Sequence, residues 1–358
     1  MTVILFIVIL AVLVFVHEAG HFMAAKAFGI RVDEFSIGFP PRIFSRQYGE
    51  TTYAIGAIPF GGFVKIFGEN PDDAGNPSPR SLANAAKWKQ AVVFLAGIAM
   101  NFFFAWILIA VSFNIGLITS IDGQYAGAAQ NPFTLVLSVE QNSPAERAGI
   151  AGGDEILSIS SGKATVAHPE PSDIQNIIAG ANGAVEIAYR RGGTTDTVSV
   201  TPGATAGSKK AIGVALALAG TVKFGFFGSM WQAGKLVAIE SWNIAGSLVH
   251  LVANIFKVGA LDGVAGPVGI ASMVGQAESV GLSYLLGFVA LISINLAVLN
   301  LVPLPALDGG RVFILAIEAV VRRKIQPSLV VWINFAGFAL IILLMAVVTY
   351  HDIAAFVH

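Results

Sequence analysis

Four long apolar runs constrain this chain more than any other feature. Met1–Val16 holds one polar residue, Thr2, and continues through His17 to about Ala25, while Ala91–Ile118, Ser279–Leu307 and Ser328–Thr349 carry no charge at all. A helix that crosses hydrocarbon needs roughly 20 mostly apolar residues, so each run is long enough to span a bilayer. Composition agrees: 55% of residues are hydrophobic, 12% are charged and the mean hydropathy is +0.74, where a soluble domain carries about 25% charge. The first run lacks a basic segment ahead of it, its first Lys being Lys26, and reads as a retained span rather than a secretory leader.

Charge placement orients the spans. Eight Lys and Arg fall between residues 25 and 90 and four between 311 and 327, against nine in the much longer 120–283 stretch. Basic connections stay in the cytoplasm, which predicts a multi-pass protein with both termini outside, which in a bacterium means the periplasmic side of the inner membrane. Phe224–Gly259 is apolar enough to suggest a fifth span. However, Glu240, Asn243, Ser247, His250, Asn254 and Lys257 recur at spacings of three and four, drawing a polar stripe along one helical face. The stretch is expected as an amphipathic helix on the membrane or on the other helices. With 21 Lys and Arg against 22 Asp and Glu there is no basic excess to hold a nucleic acid, and without Cys there is no disulfide or thiolate metal site. Any metal falls to His and carboxylates.

Near the inner end of the first run stands His17-Glu18-Ala19-Gly20-His21. On a helix, positions i and i+4 share a face, so both imidazoles can bind one zinc ion while Glu18 takes a proton from a bound water. The bland alternative is a polar cap at the cytoplasmic interface, but titratable groups in a span are costly and mark function. A hydrolytic zinc keeps three protein ligands. His168, His351 and His358 fall outside and His250 lies on the amphipathic helix, so the third ligand is expected to be a carboxylate. Glu34 and Glu50 are near in sequence, yet Asn300-Leu301-Val302-Pro303-Leu304-Pro305-Ala306-Leu307-Asp308-Gly309-Gly310 offers a better one. Two prolines stop a helix there, two glycines permit a sharp turn, and Asp308 falls on irregular backbone, which membranes tolerate only inside protein or beside water. Depth matches as well. His17 lies 16 residues into the chain's first span, and a helix from Tyr284 to Asn300 descends as far from the same side, about 24 Å. The competing role for Asp308 is a cap on a helix starting near Arg311.

An intramembrane H-E-x-x-H, a distant N-x-x-P-x-P-x-L-D-G and an outer domain between the second and third spans resemble the site-2 protease family of intramembrane zinc metalloproteases, of the bacterial regulator of sigma-E protease type. The resemblance covers nearly the whole chain. It implies that His17, His21 and Asp308 hold Zn2+, that Glu18 is the catalytic acid and base, and that Asn300 with the turn at Pro303 and Pro305 contacts substrate. It also implies an endopeptidase acting near the cytoplasmic side on single-span membrane proteins, such as anti-sigma factors or signal-peptide remnants. Gly97-Ile98-Ala99-Met100-Asn101 is more loosely similar to a Gly-x-x-x-Asn element of the family's second span.

Thr52–Gly68, with Pro59-Phe60-Gly61-Gly62-Phe63-Val64-Lys65, reads as a hairpin with a glycine turn, too short to span. The resemblance implies a membrane-reentrant β-hairpin whose Gly61, Gly62, Phe63, Val64 and Lys65 pair with unwound substrate; a hairpin resting on the membrane surface is the other reading. Residues 135–203 read as a periplasmic α+β domain, with strands at Leu135–Val139, Glu155–Ile159, Val185–Tyr189 and Thr197–Val200 and a helix at Asp173–Ala179. Ser143-Pro144-Ala145-Glu146-Arg147-Ala148-Gly149-Ile150 followed by Gly153-Asp154-Glu155-Ile156 resembles a PDZ domain, which takes peptide or substrate termini by strand addition or serves as a size filter. Residues 204–211 read as a linker.

The expectation is a polytopic α-helical membrane protein. Its transmembrane segments are 1–25, 91–118, 284–321 and 328–349, its cytoplasmic connection is 26–90 with the hairpin at 52–68, its inserted PDZ domain is 135–203 and its amphipathic region is 224–259. An ion-coupled transporter would also use intramembrane His, Glu and Asp beside a broken helix, and a non-catalytic scaffold would also carry a PDZ domain. The four spans show no internal repeat of the kind transporters have.

Overall fold

The computed structural model describes every residue except Met1, 70–77, 122–124, 126, 141, 163, 205–209, 255–264, 324 and 358. Lys257, Lys324, His358 and residues 205–209 of the expected linker lie outside the described residues. Along the chain run α1 (Thr2–Ala27), β1 (Val32–Tyr48), β2 (Thr51–Ile66), α2 (Lys87–Ile115), β3 (Leu117–Ser120), β4 (Gln130–Val139), α3 (Pro144–Arg147), β5 (Glu155–Ser161) and β6 (Ala164–Ala167). Then come α4 (Pro171–Gly180), β7 (Val185–Arg191), β8 (Thr194–Val200), β9 (Gly203–Ala204), β10 (Lys210–Ala211), β11 (Val214–Val222), α5 (Phe226–Asn254), α6 (Pro267–Val280), α7 (Leu282–Leu301), α8 (Asp308–Val321) and α9 (Pro327–Val357).

Among the described residues, five helices are long and apolar enough to cross a membrane: α1, α2, α5, α7 and Ser328–Tyr350 of α9. Four run through the apolar stretches, and the fifth, α5, covers the stretch expected as an amphipathic helix. Val3, Ile4, Val8 and Val12 of α1 face outward while Ile9 and Leu13 are buried, the pattern of a helix apolar all round. This is a multi-pass membrane protein. Met1–Ile107, Gly234–Ala271 and Val289–His358 form one compact unit, and Leu108–Ala233 with Ser272–Phe288 forms a second.

In the first unit β1 and β2 pair antiparallel about a turn at Gly49 and Glu50. Glu34, Phe35, Ser36 and Ile37 have partners on two sides, Lys65, Val64, Phe63 and Gly62 on one and Thr52, Tyr53, Ala54 and Ile55 on the other. The arms of the expected 52–68 hairpin thus flank a third segment, one hidden in the sequence by the charges and the Pro40-Pro41 pair of β1. Val32 and Ile66 anchor this sheet in a core with Ala25, Ile30, Leu82, Val93 and Phe94. Its turn is fastened by Glu50, which accepts from Lys26 at 2.7 Å and from two nitrogens of Arg80 at 2.7 Å each. Arg80 first, then Lys26, holds the Glu50 carboxyl at about 2.

Helix α7 stops at Leu301 and α8 starts at Asp308. Between them Ala306 takes a left-handed φ of 77°. A Cβ on Gly310 would sit 2.1 Å from the Leu304 carbonyl oxygen, so this break folds tightly only with glycine there.

The second unit is a seven-stranded sheet in the order β3-β11-β4-β5-β7-β8, with β6 beside β5. Its core is aliphatic, with Val136, Ile159, Ile174, Val185 and Ile187 at 2% exposure or less. Ser143 caps α3 by accepting from the Glu146 N–H at 3.2 Å, with Pro144 at the first helical position, where its missing N–H costs nothing. Buried Asp154 receives the Ala151 N–H and a fork from Arg191, at 2.6 and 2.7 Å. The phrase 143–156 is thus held by its own cap at Ser143 and by Arg191 of β7.

Candidate metal centre

Helix α1 carries His17, Glu18 and His21, and its 3.6-residue turn puts the two imidazoles one above the other. The break before α8 brings Asp308 to them. Its Oδ2 lies 2.9 Å from His17 Nε2 and 3.2 Å from His21 Nε2, and the two Nε2 atoms lie 3.1 Å apart. Among the described residues these three make the one group of His, Asp and Glu whose ligand atoms, all within 4.8 Å, can share an ion. Helix α8 begins at Asp308 itself, with Leu307 as its N-cap residue and no side-chain capping bond there. The other carboxylates weighed as ligands are engaged elsewhere: Glu34 accepts a fork from Arg42 at 2.9 and 2.6 Å, and Glu50 holds the sheet turn.

These residues fit a zinc ion. Two ligands each about 2.1 Å from a tetrahedral zinc lie about 3.4 Å apart, close to the separations above. The donor chemistry agrees at His21, whose Nδ1 meets the Val93 carbonyl oxygen at 2.8 Å. A carbonyl only accepts, so Nδ1 carries the proton and the bare Nε2 lone pair faces Asp308 and His17. The three side chains thus offer converging ligand atoms that one cation could share.

Helix α2 closes the site from behind. A Cβ on Gly97 would sit 2.4 Å from His21 Nε2 and 2.9 Å from His17 Cε1, so only glycine allows this approach. One turn later Asn101 meets His17 Nδ1 at 3.3 Å. On the open side is a cavity of about 360 Å³ lined by His17, His21, Asp308, Glu18, Asn300, Phe63, Val64, Glu69 and Arg311. The Val64 N–H donates to Glu18 Oε2 at 3.1 Å. Pro303, Pro305, Gly61, Gly62 and Lys65 do not line this cavity. Sequence reasoning missed Glu69 and Arg311, which pair with each other at its wall. The available sign was spacing, since Arg311 follows Asp308 by three residues and shares its helical face.

The family model of Peptidase family M50 matches residues 5–344. A Clostridium perfringens protein bearing a provisional zinc metalloprotease name is 37% identical over 343 residues, covering 95% of each chain. The chain is also similar to the zinc metalloprotease RasP of Shouchella clausii, 30% identical with 99% of each chain covered. The regulator of sigma-W protease RasP of Bacillus subtilis is 30% identical with 98% of each covered. A His-His-Asp group beside a glutamate, set among apolar helices, and a family match over nearly the whole length lead to one conclusion: the chain belongs to Peptidase family M50.

Proposed function

We infer that this protein is an intramembrane zinc endopeptidase that cuts the membrane segments of single-span proteins. One observation carries the reading, the convergence of His17, His21 and Asp308 beside Glu18 in a polar cavity among apolar helices. Zinc held by those three side chains supplies Lewis acidity toward a water and a peptide carbonyl. Glu18 takes the proton of the attacking water as the new C–O bond forms and passes it to the leaving amine as C–N breaks. The Val64 N–H aims that carboxylate. Asn300 and the turn at Pro303 and Pro305 contact the substrate backbone, while Gly61 to Lys65 offer a strand edge to a segment that has lost its own helical hydrogen bonds.

In this reading the spans are 1–25, 91–118, 284–321 and 328–349, and 224–259 lies on the membrane surface. Both termini are periplasmic, and the catalytic group sits toward the cytoplasmic side of the bacterial inner membrane. The turn chemistry of 143–156 supports a PDZ domain over 135–203, acting on substrate termini by strand addition or as a size filter. The name of the Bacillus subtilis relative, regulator of sigma-W protease, supports anti-sigma factors as the substrate class, with signal-peptide remnants as a second. Family membership favours this reading over a transporter or a scaffold.

Metal analysis of the purified chain tests it. About one zinc per wild-type chain is expected, with a large loss in both His17→Ala and Asp308→Ala. Unchanged zinc in Asp308→Ala would remove that residue from the ligand set.

A further inference from the structure

The two imidazoles are held unequally. His21 gives its Nδ1–H to a backbone carbonyl, that of Val93, and needs no side chain to fix its tautomer. His17 has only Asn101 at its Nδ1, with the amide nitrogen 3.3 Å away. That arrangement pairs a donor with Nδ1, which would send the ring proton to Nε2, toward Asp308 and away from metal binding. It also strands the other half of the amide: Asn101 is fully buried and its Oδ1 has no hydrogen-bond partner. A buried oxygen left bare is costly. Turning the amide over by half a turn, an exchange of two atoms of nearly equal size, places an acceptor at His17 Nδ1 and leaves the amide nitrogen instead of the oxygen in the unpartnered position. Oδ1 then accepts from His17 Nδ1–H, and Nε2 keeps its lone pair for the ion.

We propose that Asn101 is a positioning residue that fixes His17 in the Nδ1–H tautomer, so that both histidines present bare Nε2 atoms to the metal. The inference rests on the zinc reading above. Helix α2 is built for the task. Ser293 Oγ donates to the Asn101 carbonyl oxygen at 2.8 Å, pinning the backbone, and Gly97 one turn earlier lets the imidazoles lie against the helix. Val93 and Asn101 serve the outer nitrogens of His21 and His17 from the same helix, one through its main chain and the other through its side chain. Such outer partners set ring orientation and ligand basicity.

The test is a zinc competition titration on the full chain in detergent, comparing wild type, Asn101→Leu and Asn101→Asp. Leucine keeps the volume and removes the acceptor, so affinity should fall about 10- to 100-fold. Aspartate accepts but cannot donate, so it should bind zinc clearly more tightly than the leucine variant. Equal melting temperatures of the zinc-free proteins show that folding is intact. Wild-type affinity in Asn101→Leu would overturn the proposal, and so would an Asn101→Asp as weak as the leucine variant. A second measurement needs no variant: the proton spectrum of cobalt-substituted wild type should contain shifted, exchangeable N–H signals from both imidazoles, and one signal alone would overturn the tautomer. Absence of zinc from wild type would instead defeat the zinc reading, a result separable from metal bound normally without the Asn101 acceptor.

Discussion

Each compact unit encloses a space, and the two spaces are opposites. In the first, Glu18, Asp308, Glu69, Arg311 and Asn300 face a cavity of about 360 Å³, while aliphatic side chains of α1 point outward. In the second, nine Val, Ile and Leu residues, among them Val136, Ile159 and Leu216, surround a void of about 10 Å³. Helices in lipid already satisfy their backbone bonds and gain little from further apolar burial, so the interior is free to hold polar groups. A sheet packed around an aliphatic core has no such freedom, because its stability comes from a dry, close-packed interior. The difference separates function from stability. Changes inside the first unit should cost chemistry, and changes inside the second should cost folding.

The largest expected effect falls on the first space. Glu18→Gln keeps the shape of the side chain and removes the proton acceptor, so cleavage should drop by about 10²- to 10⁴-fold with zinc content unchanged. A rate near wild type would show that the carboxylate does no chemistry, and loss of zinc would make it a ligand. Next in size is Ile159→Ala in the second unit, a fully buried position. Truncation there should remove about 2–5 kcal/mol of local stability, read by hydrogen exchange in β5 and β7, with zinc content unaltered. Loss of zinc in this variant would erase the separation between the units. The smallest effect is expected from Gly97→Ala, whose methyl would press on His21 Nε2. Zinc affinity should weaken about 10- to 100-fold while exchange in the second unit stays the same. Unaltered affinity would show that the imidazoles have room to retreat.

The apolar runs were legible because a span writes its whole length in one composition, and His17 to His21 because three titratable residues stand out inside such a run. Asp308 was legible through Pro303, Pro305 and two glycines, which announce a broken helix whatever surrounds it. The 34–37 segment of β1 was not. Its partners lie about 18 and 30 residues away on opposite sides, and no local alternation distinguishes a strand held from both flanks from a cytoplasmic loop. Glu69 and Arg311 escaped notice for the same reason, since their pairing joins positions 242 residues apart. Asn101 was visible as part of a motif, but its partner His17 emerges only when α2 is laid against α1.

The contact between His17 and Asp308 joins residues 291 positions apart in the chain. At a synthesis rate of about 5–20 residues per second, Asp308 emerges some 15–60 seconds after His17. Throughout that interval the paired histidines are already made and Asp308 is not. On the proposed reading, hydrolytic competence arrives late, with nearly the last helix.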